Sequence, residues 1–375
     1  CGGQSATPYA ASQGSGQAAP FVGTGRSPAE INHWVPRYLV MKSHVDVAQI
    51  RARHNTTNTI PFFTGSVKSP LDNKTYNYDI VGADPTKSTG ITKVSVVPIV
   101  LVVTFSDGTV LDPTQPGCND TVSVADRFFN GPNFKSSPLV SNGVKVGSLQ
   151  ITAAFQRAEF WNSLKSHKYS TRLVPATAPI IVNVNAPSSA KTVGGVCTGN
   201  SHRIGEIDIN AYDNMVQSLA NQYATPTQIP VVLSYNVFET EGGGCCILGY
   251  HDAYSRSGGI QTYAVGAYND AGVFGSTPIE DIHAWTHELG ELINDPFVNN
   301  GTPAWGHVGQ VGGCQNNLEV GDPLTGTAFT HKYKGFTYHP QELVFFDWFF
   351  RTPAQGTGGK FSFEGTFTSS QGACH

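Results

Sequence analysis

The sequence predicts an α+β fold: a mixed β-sheet, one helix that carries a chemical motif, and a C-terminal part that supplies a further ligand to that helix. Two observations lead to this class. Apolar runs and alternating patterns typical of strands dominate residues 75–112. Later segments carry apolar residues at helical spacing and end at turn-forming or helix-breaking residues. Strands and helices are therefore expected in the same folded body.

Composition indicates a folded, weakly charged chain. Of its 375 residues, 39% are hydrophobic and only 13% are charged, with a formal net charge of −4. Because no long run of Lys or Arg is present, a nucleic-acid partner held by phosphate contacts is not expected. The longest apolar stretch, residues 94–105, is shorter than the ~20 residues that a membrane-spanning helix needs.

The chain is expected to divide into a tether and a globular body. Residues 1–30 are rich in Gly, Ser, Ala and Gln, which is typical of a flexible linker. Residues 31–204 are interpreted as a β-rich part and residues 205–375 as the part with the motif helix. The two parts form either separate domains or one continuous domain.

The individual elements follow from local patterns. Strands are predicted at 76–81, 94–105, 229–237 and 261–268, and helices at 149–164, 210–223, 278–294 and 340–350. Pro98 should place part of the second strand at an edge or bulge, because proline has no N–H to donate. Thr277, Pro278 and Glu280 form a capping pattern that starts the third helix, and Pro296 ends it.

The helix predicted over 278–294 has two chemically different faces. One face is apolar, and the other carries polar residues at successive steps of four: His283, His287, Glu291 and Asp295. The sequence from 287 reads His-Glu-Leu-Gly-Glu, which is the zinc-binding His-Glu-x-x-His pattern with its second His replaced by Glu. His287 and Glu291 are therefore predicted to be metal ligands, and Glu288 to be the general base that activates water.

A catalytic zinc site needs a third protein ligand. Glu319 is the favoured candidate. Asp322 is the second candidate, either as this ligand or as the acceptor that orients His287. Asp295 is the third candidate. Zn²⁺ is the expected ion, although the carboxylate ligand at 291 leaves another divalent ion open.

Four further polar side chains are candidates for the site. His307, Tyr338 and His339 are candidates for stabilising an oxyanion. His251 is expected in a loop before the motif helix. It either reaches the site or forms a local hydrogen bond, and the local role is favoured.

These residues resemble the zincin metallopeptidases whose third ligand is a Glu on a later segment. The resemblance covers roughly residues 205–350, and it implies that His287, Glu291 and Glu319 hold zinc while Glu288 acts as the base. Glu291 departs from the two-His motif of that family. A second, scattered similarity joins residues 287–296 and 318–322 to the phosphate-induced (Exordium-like) secreted proteins, a group without an established enzymatic activity.

The cysteines point to an exported protein. Cys1, followed by two glycines, resembles the start of a mature bacterial lipoprotein. That resemblance implies an outer-membrane, cell-surface or periplasmic location, with a lipid anchor at Cys1 as the membrane contact. The other six cysteines predict up to three disulfides. Cys245 and Cys246 are adjacent and are expected to take different partners.

The function predicted from these patterns is metal-dependent hydrolysis of an extracellular peptide or protein. The alternative is a non-catalytic cell-surface binding or structural protein of the same fold. In that interpretation the ion is structural or absent. The polar face of the motif helix can also be read as an ordinary solvent-exposed face, as such faces usually are. An open coordination position beside Glu288, facing a groove, would favour the enzyme.

Overall fold

The computed structural model describes residues 34–42, 45–46, 58–87, 90–197 and 202–375. The predicted tether over 1–30 and the lipid anchor at Cys1 lie outside these residues. Within them, no helix combines the length and the apolar character that spanning a membrane requires.

The architecture is mainly β, so the predicted α+β class is wrong. Strands account for 40% and helices for 18% of the structure. The strands in chain order are β1 (Trp34–Arg37), β2 (Phe62–Lys68), β3 (Thr75–Val81), β4 (Ile91–Thr104), β5 (Val110–Leu111), β6 (Ser137–Ser141), β7 (Val144–Leu149), β8 (Ser170–Pro175), β9 (Ile180–Asn185), β10 (Lys191–Val193), β11 (Ile204–Asp208), β12 (Gln228–Tyr235), β13 (Val237–Glu241), β14 (Gly244–Ile247), β15 (Gly249–Arg256), β16 (Gly259–Tyr268), β17 (Gly301–Val308), β18 (Val311–Asn317), β19 (His331–Tyr333) and β20 (Phe336–Tyr338).

The described residues form six α-helices where four were predicted, and three of the four predicted helices are shorter or divided. The six are α1 (Val124–Phe129), α2 (Ile151–Glu159), α3 (Trp161–Leu164), α4 (Ile209–Tyr223), α5 (His283–Asn294) and α6 (Phe346–Phe350). The segment expected to be a loop between two predicted strands forms β13, β14 and most of β15 instead. The helix predicted over 340–350 is reduced to α6, because residues 341 and 344 form isolated β-bridges. Tertiary pairing overrides local helical spacing in both places.

A seven-stranded mixed sheet forms the centre of the fold. Its order is β15-β16-β12-β4, with β8 and β9 paired to the side of β4 opposite β12 and β5 paired to the end of β4 on the β12 side. A second sheet has the order β1-β14-β13-β11-β10, and four two-stranded hairpins complete the strands. The central strand β4 is 14 residues long, and all of its residues from 96 to 103 are buried.

Pro98 lies where β4 changes partners. Pairing with β8 ends at Val96 opposite Pro175, and pairing with β9 begins at Ile99 opposite Ile180. The missing N–H of Pro98 therefore falls in the gap between the two neighbouring strands on that side. This position is the local edge that the sequence predicted.

The central sheet is covered on both faces. Alternate residues of β4 enter two separate apolar clusters: Val94, Val96 and Val100 pack with α2 and α5, whereas Ile99, Leu101 and Val103 pack with α4. A strand buried on both faces reads as a continuous apolar run rather than an alternating one. This burial explains why residues 94–105 are uniformly hydrophobic.

The motif helix α5 begins five residues later than predicted. Its N-cap is Ile282, whose side chain makes no capping bond, and Asp281 has a positive φ of 44°. The capping pattern at residues 277–280 is therefore not used. The predicted end is confirmed, since the helix stops at Asn294 before Asp295 and Pro296.

Three disulfides form among the six cysteines that were considered. They join Cys118 to Cys197, Cys245 to Cys246, and Cys314 to Cys374. The predicted number is confirmed, but the expectation that Cys245 and Cys246 take different partners is wrong. Disulfides are compatible with an extracellular or periplasmic location.

Trp285 tests how strongly α5 is anchored to the core. Its side chain is fully buried, with its ring 4.6 Å from that of Phe128. Replacing Trp285 by Ala should lower the free energy of unfolding by about 3–5 kcal/mol, the usual cost of removing a buried Trp. Trp161→Ala is the matched control, because Trp161 is only partly buried and should cost less. Equal losses in urea denaturation would show that α5 is not a main anchor.

Candidate metal centre

The polar face of α5 is buried, so the solvent-exposed alternative is wrong. All twelve residues of the helix are buried. His287 is 0%, Glu288 1% and Glu291 3% exposed. Charged groups are almost never buried at this level unless they are paired or bind a metal. The polar face of this helix therefore needs a partner inside the protein.

Three regions of the chain contribute polar side chains to the buried space beside this face. Helix α5 contributes His287, Glu288 and Glu291, and strand β15 contributes His251. A segment after β18 contributes Glu319 and Asp322. We call these six side chains the acidic cluster. Each of them is at most 3% exposed.

The segment at 318–322 packs against α5, and apolar and acidic residues alternate along it. Leu318 and Val320 are fully buried in the large apolar cluster. The Gly321 N–H donates to Glu291 Oε1 at 3.0 Å, and the Val344 N–H donates to the carbonyl of Val320 at 2.8 Å. Glu319, between the two apolar residues, is thereby directed to the opposite side.

The hydrogen bond of His251 determines its tautomer. Its Nε2 lies 3.1 Å from the carbonyl oxygen of Asp295, which can only accept, so Nε2 carries the proton. The other nitrogen, Nδ1, therefore presents a lone pair. It has no hydrogen-bond partner among the described residues, and it lies 3.5 Å from Glu288 Oε2 and 3.8 Å from Glu291 Oε2.

His287 repeats this arrangement. Its Nδ1 lies 3.2 Å from Gln341 Oε1, and the amide of Gln341 is oriented by its Nε2, which donates to the Gly321 carbonyl at 2.7 Å. The proton therefore sits on Nδ1. The free Nε2 lies 3.0 Å from Glu291 Oε1 and 3.5 Å from Asp322 Oδ1 without a hydrogen bond in the described structure.

Both histidines are neutral near pH 7. Burial lowers the pKa of His251 to about 3 and that of His287 to about 4. Two imidazole lone pairs thus face carboxylate oxygens, which also carry lone pairs. This contact is repulsive unless a cation or a proton lies between them. In metal sites, a ligating histidine usually donates the N–H of its other ring nitrogen to a nearby acceptor, and this hydrogen bond fixes the tautomer. Here the acceptors are the carbonyl of Asp295 and the side-chain amide of Gln341.

Burial also perturbs the four carboxylates of the acidic cluster. Burial and neighbouring acids raise the pKa of Glu288, Glu291 and Glu319 well above the ordinary value. Burial raises the pKa of Asp322 to about 6, although His287 opposes this rise. Neither oxygen of Glu288 has a hydrogen-bond partner in the part of the chain described. A divalent cation would remove both the repulsion and the cost of burial.

The spacing suits a metal ion. Two groups of three have ligand atoms within 4.8 Å of one another: His251 with Glu291 and Glu319, and His287 with Glu288 and Glu291. Zinc bonds of about 2.0–2.2 Å place tetrahedral ligand atoms about 3.3–3.6 Å apart. The separations of 3.0–3.8 Å between the histidine nitrogens and the carboxylate oxygens fall around that range. The residues present could therefore hold a metal ion.

The three predicted ligands do not form one group by themselves. Glu319 lies with His251 and Glu291 rather than with His287. Asp322 lies beside His287, within reach as a ligand. Asp295 is occupied elsewhere, because its carboxylate accepts the N–H groups of Asn299 and Asn300 at 2.9 and 3.0 Å.

The other predicted residues lie outside the acidic cluster. His307 is exposed, with Nε2 3.3 Å from the carbonyl of His375 and 3.9 Å from Cys314 Sγ. The Tyr338 hydroxyl donates to the carbonyl of Arg127. His339 pairs with Asp281 and Glu280. Their predicted roles stay predictions without a described contact to the cluster.

Sequence reasoning undervalued His251 and missed Tyr38 and Gln341. His251 was assigned to a loop, although the aromatic residues at 250 and 254 are a strand signal that could have placed it in β15. Tyr38 stacks on His287 with ring centroids 3.4 Å apart, and its hydroxyl lies 2.8 Å from His283 Nδ1. No local pattern around Tyr38 or Gln341 indicates these long-range contacts.

The comparisons with known proteins add no relative. No protein family, no curated protein and no solved structure matches this chain. The resemblances to zincin metallopeptidases and to Exordium-like proteins therefore stay predictions.

Gly321 tests the packing around His287. A Cβ atom at this position would collide with the imidazole ring of His287. Gly321→Ala should destabilise the fold by about 1–3 kcal/mol, as overpacking does, and should weaken metal binding by displacing the ring. Gly313→Ala is the control, since a Cβ there has open space. Thermal unfolding with and without zinc compares the two variants, and identical curves would contradict the described packing.

The ion pairs of His339 should make a pH-dependent contribution to the free energy of unfolding. Its contacts with Asp281 and Glu280 raise the pKa of His339 to about 10. Because the folded pKa is raised, the stabilisation is complete below about pH 6.5 and is lost as the pH rises toward 10. The difference in unfolding free energy between wild type and His339→Gln should therefore shrink from pH 6.5 to 10. His167→Gln, at an exposed His, should show no such trend. A difference independent of pH would refute the ion pair.

Proposed function

We propose that this protein binds a divalent metal ion in the acidic cluster and is an exported metal-dependent hydrolase. One observation carries the proposal. The lone pairs of His251 Nδ1 and His287 Nε2 are directed at buried carboxylates and have no hydrogen-bond partner in the described chain. A cation is the natural occupant of such a space, and Zn²⁺ suits a set of imidazole and carboxylate ligands.

The ligands and the base take separate positions. His251, Glu291 and Glu319 would hold the ion, and three protein ligands leave a position for substrate or water. Bound zinc would polarise a carbonyl group and make water more acidic. Glu288 lies 3.5 Å from His251 and has both oxygens free of hydrogen bonds in the described structure. It would take the proton from the attacking water and pass it to the leaving group.

Peptide or protein is the proposed substrate class. The support for this choice is the likeness of the string at 287–291 to the His-Glu-x-x-His motif of metallopeptidases. An exported location agrees with the three disulfides.

A non-catalytic protein with a structural ion is the second candidate, and burial favours it. Every member of the acidic cluster is at most 3% exposed, and Tyr38 lies over His287. A cleft of about 490 Å³ lies elsewhere, lined by residues that include Asp112, His202 and Tyr235. Hydrolysis would require Tyr38 to move off His287, whereas a structural ion would not.

Metal content separates these proposals from a metal-free protein. The full chain, with its disulfides formed, is equilibrated with zinc, dialysed and measured by mass spectrometry. Wild type and the His167→Ala control should retain at least one zinc per chain, and the His251→Ala/His287→Ala double variant should retain none. Absence of stoichiometric zinc from the wild type would overturn the proposed function.

Glu288→Gln tests catalysis apart from binding. If Glu288 is the base, the variant should keep its zinc and lose at least about 100-fold in peptide turnover, the usual effect of losing a general base. Glu159→Gln is the matched control, because Glu159 is also buried, at 1% exposure, but contacts Phe346 instead of the cluster. Zinc binding without turnover in the wild type would favour the structural ion. Unchanged turnover in Glu288→Gln would exclude the assigned base.

A further inference from the structure

The carboxylate of Glu291 lies between the two histidines. Its Oε1 is 3.0 Å from His287 Nε2, and its Oε2 is 3.8 Å from His251 Nδ1. Each imidazole therefore faces a different oxygen of the same carboxylate. The two compact ligand groups in the cluster also have Glu291 as their common member.

We propose that the centre holds two divalent ions that share Glu291. The first would bind His251, Glu291 and Glu319. The second would bind His287 and Glu291, with Asp322 in place of the Glu288 of the compact group, because Asp322 Oδ1 lies 3.5 Å from His287 Nε2. This inference rests on the proposed metal centre, but it goes beyond it in the number of ions and in the role of His287. Two-metal sites that hydrolyse esters and peptides hold their ions about 3.5–4 Å apart.

The charge balance favours two ions over one. Glu288, Glu291, Glu319 and Asp322 carry four negative charges when ionised, and both histidines are held in neutral tautomers. Arg37, whose charge reaches Asp322, is itself paired with Glu241 at 2.7 Å. One divalent ion would leave two buried negative charges, whereas two divalent ions neutralise all four.

Each ligand set also has its own orienting partners. Asn317 Nδ2 donates to Glu319 Oε1 at 2.8 Å on the side of the first ion. Gln310 Nε2 donates to Asp322 Oδ1 at 2.6 Å on the side of the second. The carbonyl of Asp295 fixes His251, and Gln341 fixes His287. Such outer hydrogen bonds are the usual support of metal ligands, and here they are present twice.

The second set has an unpartnered donor of its own. His287 is fully buried, and its Nε2 is aimed between Glu291 and Asp322 without a hydrogen bond among the described residues. The first set does not use this atom. If only one ion were bound next to His251, the lone pair of His287 would still face carboxylate oxygens.

Metal stoichiometry and spin coupling test the inference on the full chain. Zinc is titrated and counted by mass spectrometry in wild type, His251→Ala, His287→Ala and the exposed control His167→Ala. Wild type and control should bind two zinc ions per chain, and each cluster variant should bind one. Loading with Mn²⁺ should give an electron paramagnetic resonance spectrum of a coupled pair in wild type and of an isolated ion in each variant.

The wild type decides the outcome even if a variant fails to fold. Two ions per chain together with a coupled Mn²⁺ spectrum support the shared-carboxylate centre. One ion per chain at saturation, with an uncoupled spectrum, overturns the inference and leaves the proposed function intact. Absence of any bound ion overturns both.

Discussion

Four buried carboxylates, two on the polar face of α5 and two packed against it, impose the constraint on which this part of the structure depends. Ionised acids that are removed from water repel one another, and their pKa values rise accordingly. The surrounding chain supplies single donors, such as the Gly321 N–H and the Gln310 amide. These donors orient the acids without neutralising them. The residues present could hold a cation between them.

Packing in the apolar core determines where the side chains of the acidic cluster lie. Trp285 and Leu289 on the opposite face of α5 are fully buried in the large apolar cluster. His251 is placed by the pairing of β15 with β16, in which it lies opposite Ala264. Leu318 and Val320 bury the flanks of Glu319. Ligands carried by such elements are held more precisely than ligands on free loops.

The side chains of the acidic cluster suit metal binding, but their burial restricts access to them from solvent. Tyr38 stacks on His287 and its hydroxyl is hydrogen-bonded to His283, so Tyr38 covers the His287 side of the acidic cluster. The Tyr38 backbone is in turn held by the side chain of Gln310, which also contacts Asp322. A catalytic role and a structural role therefore differ in whether this cover opens, and not in the ligands themselves.

The sequence by itself determined the elements whose signal is local. The 94–105 strand, the helices at 151–159 and 209–223, and the place of Pro98 follow from apolar periodicity and from the missing proline N–H. The spacing of His287 and Glu291 on one helix face is likewise a property of the helix repeat. The three disulfides followed in number but not in pairing.

Only the tertiary structure decided the fold class, the burial of the polar face and the membership of the site. The chain at 237–256 becomes strands because neighbouring strands accept its backbone hydrogen bonds. His251, Tyr38 and Gln341 reach His287 and its neighbours from positions 36 to 249 residues away along the chain, and no local pattern encodes such contacts. Whether a polar stripe faces water or a second set of acids depends on what packs against it, which is a property of the whole fold.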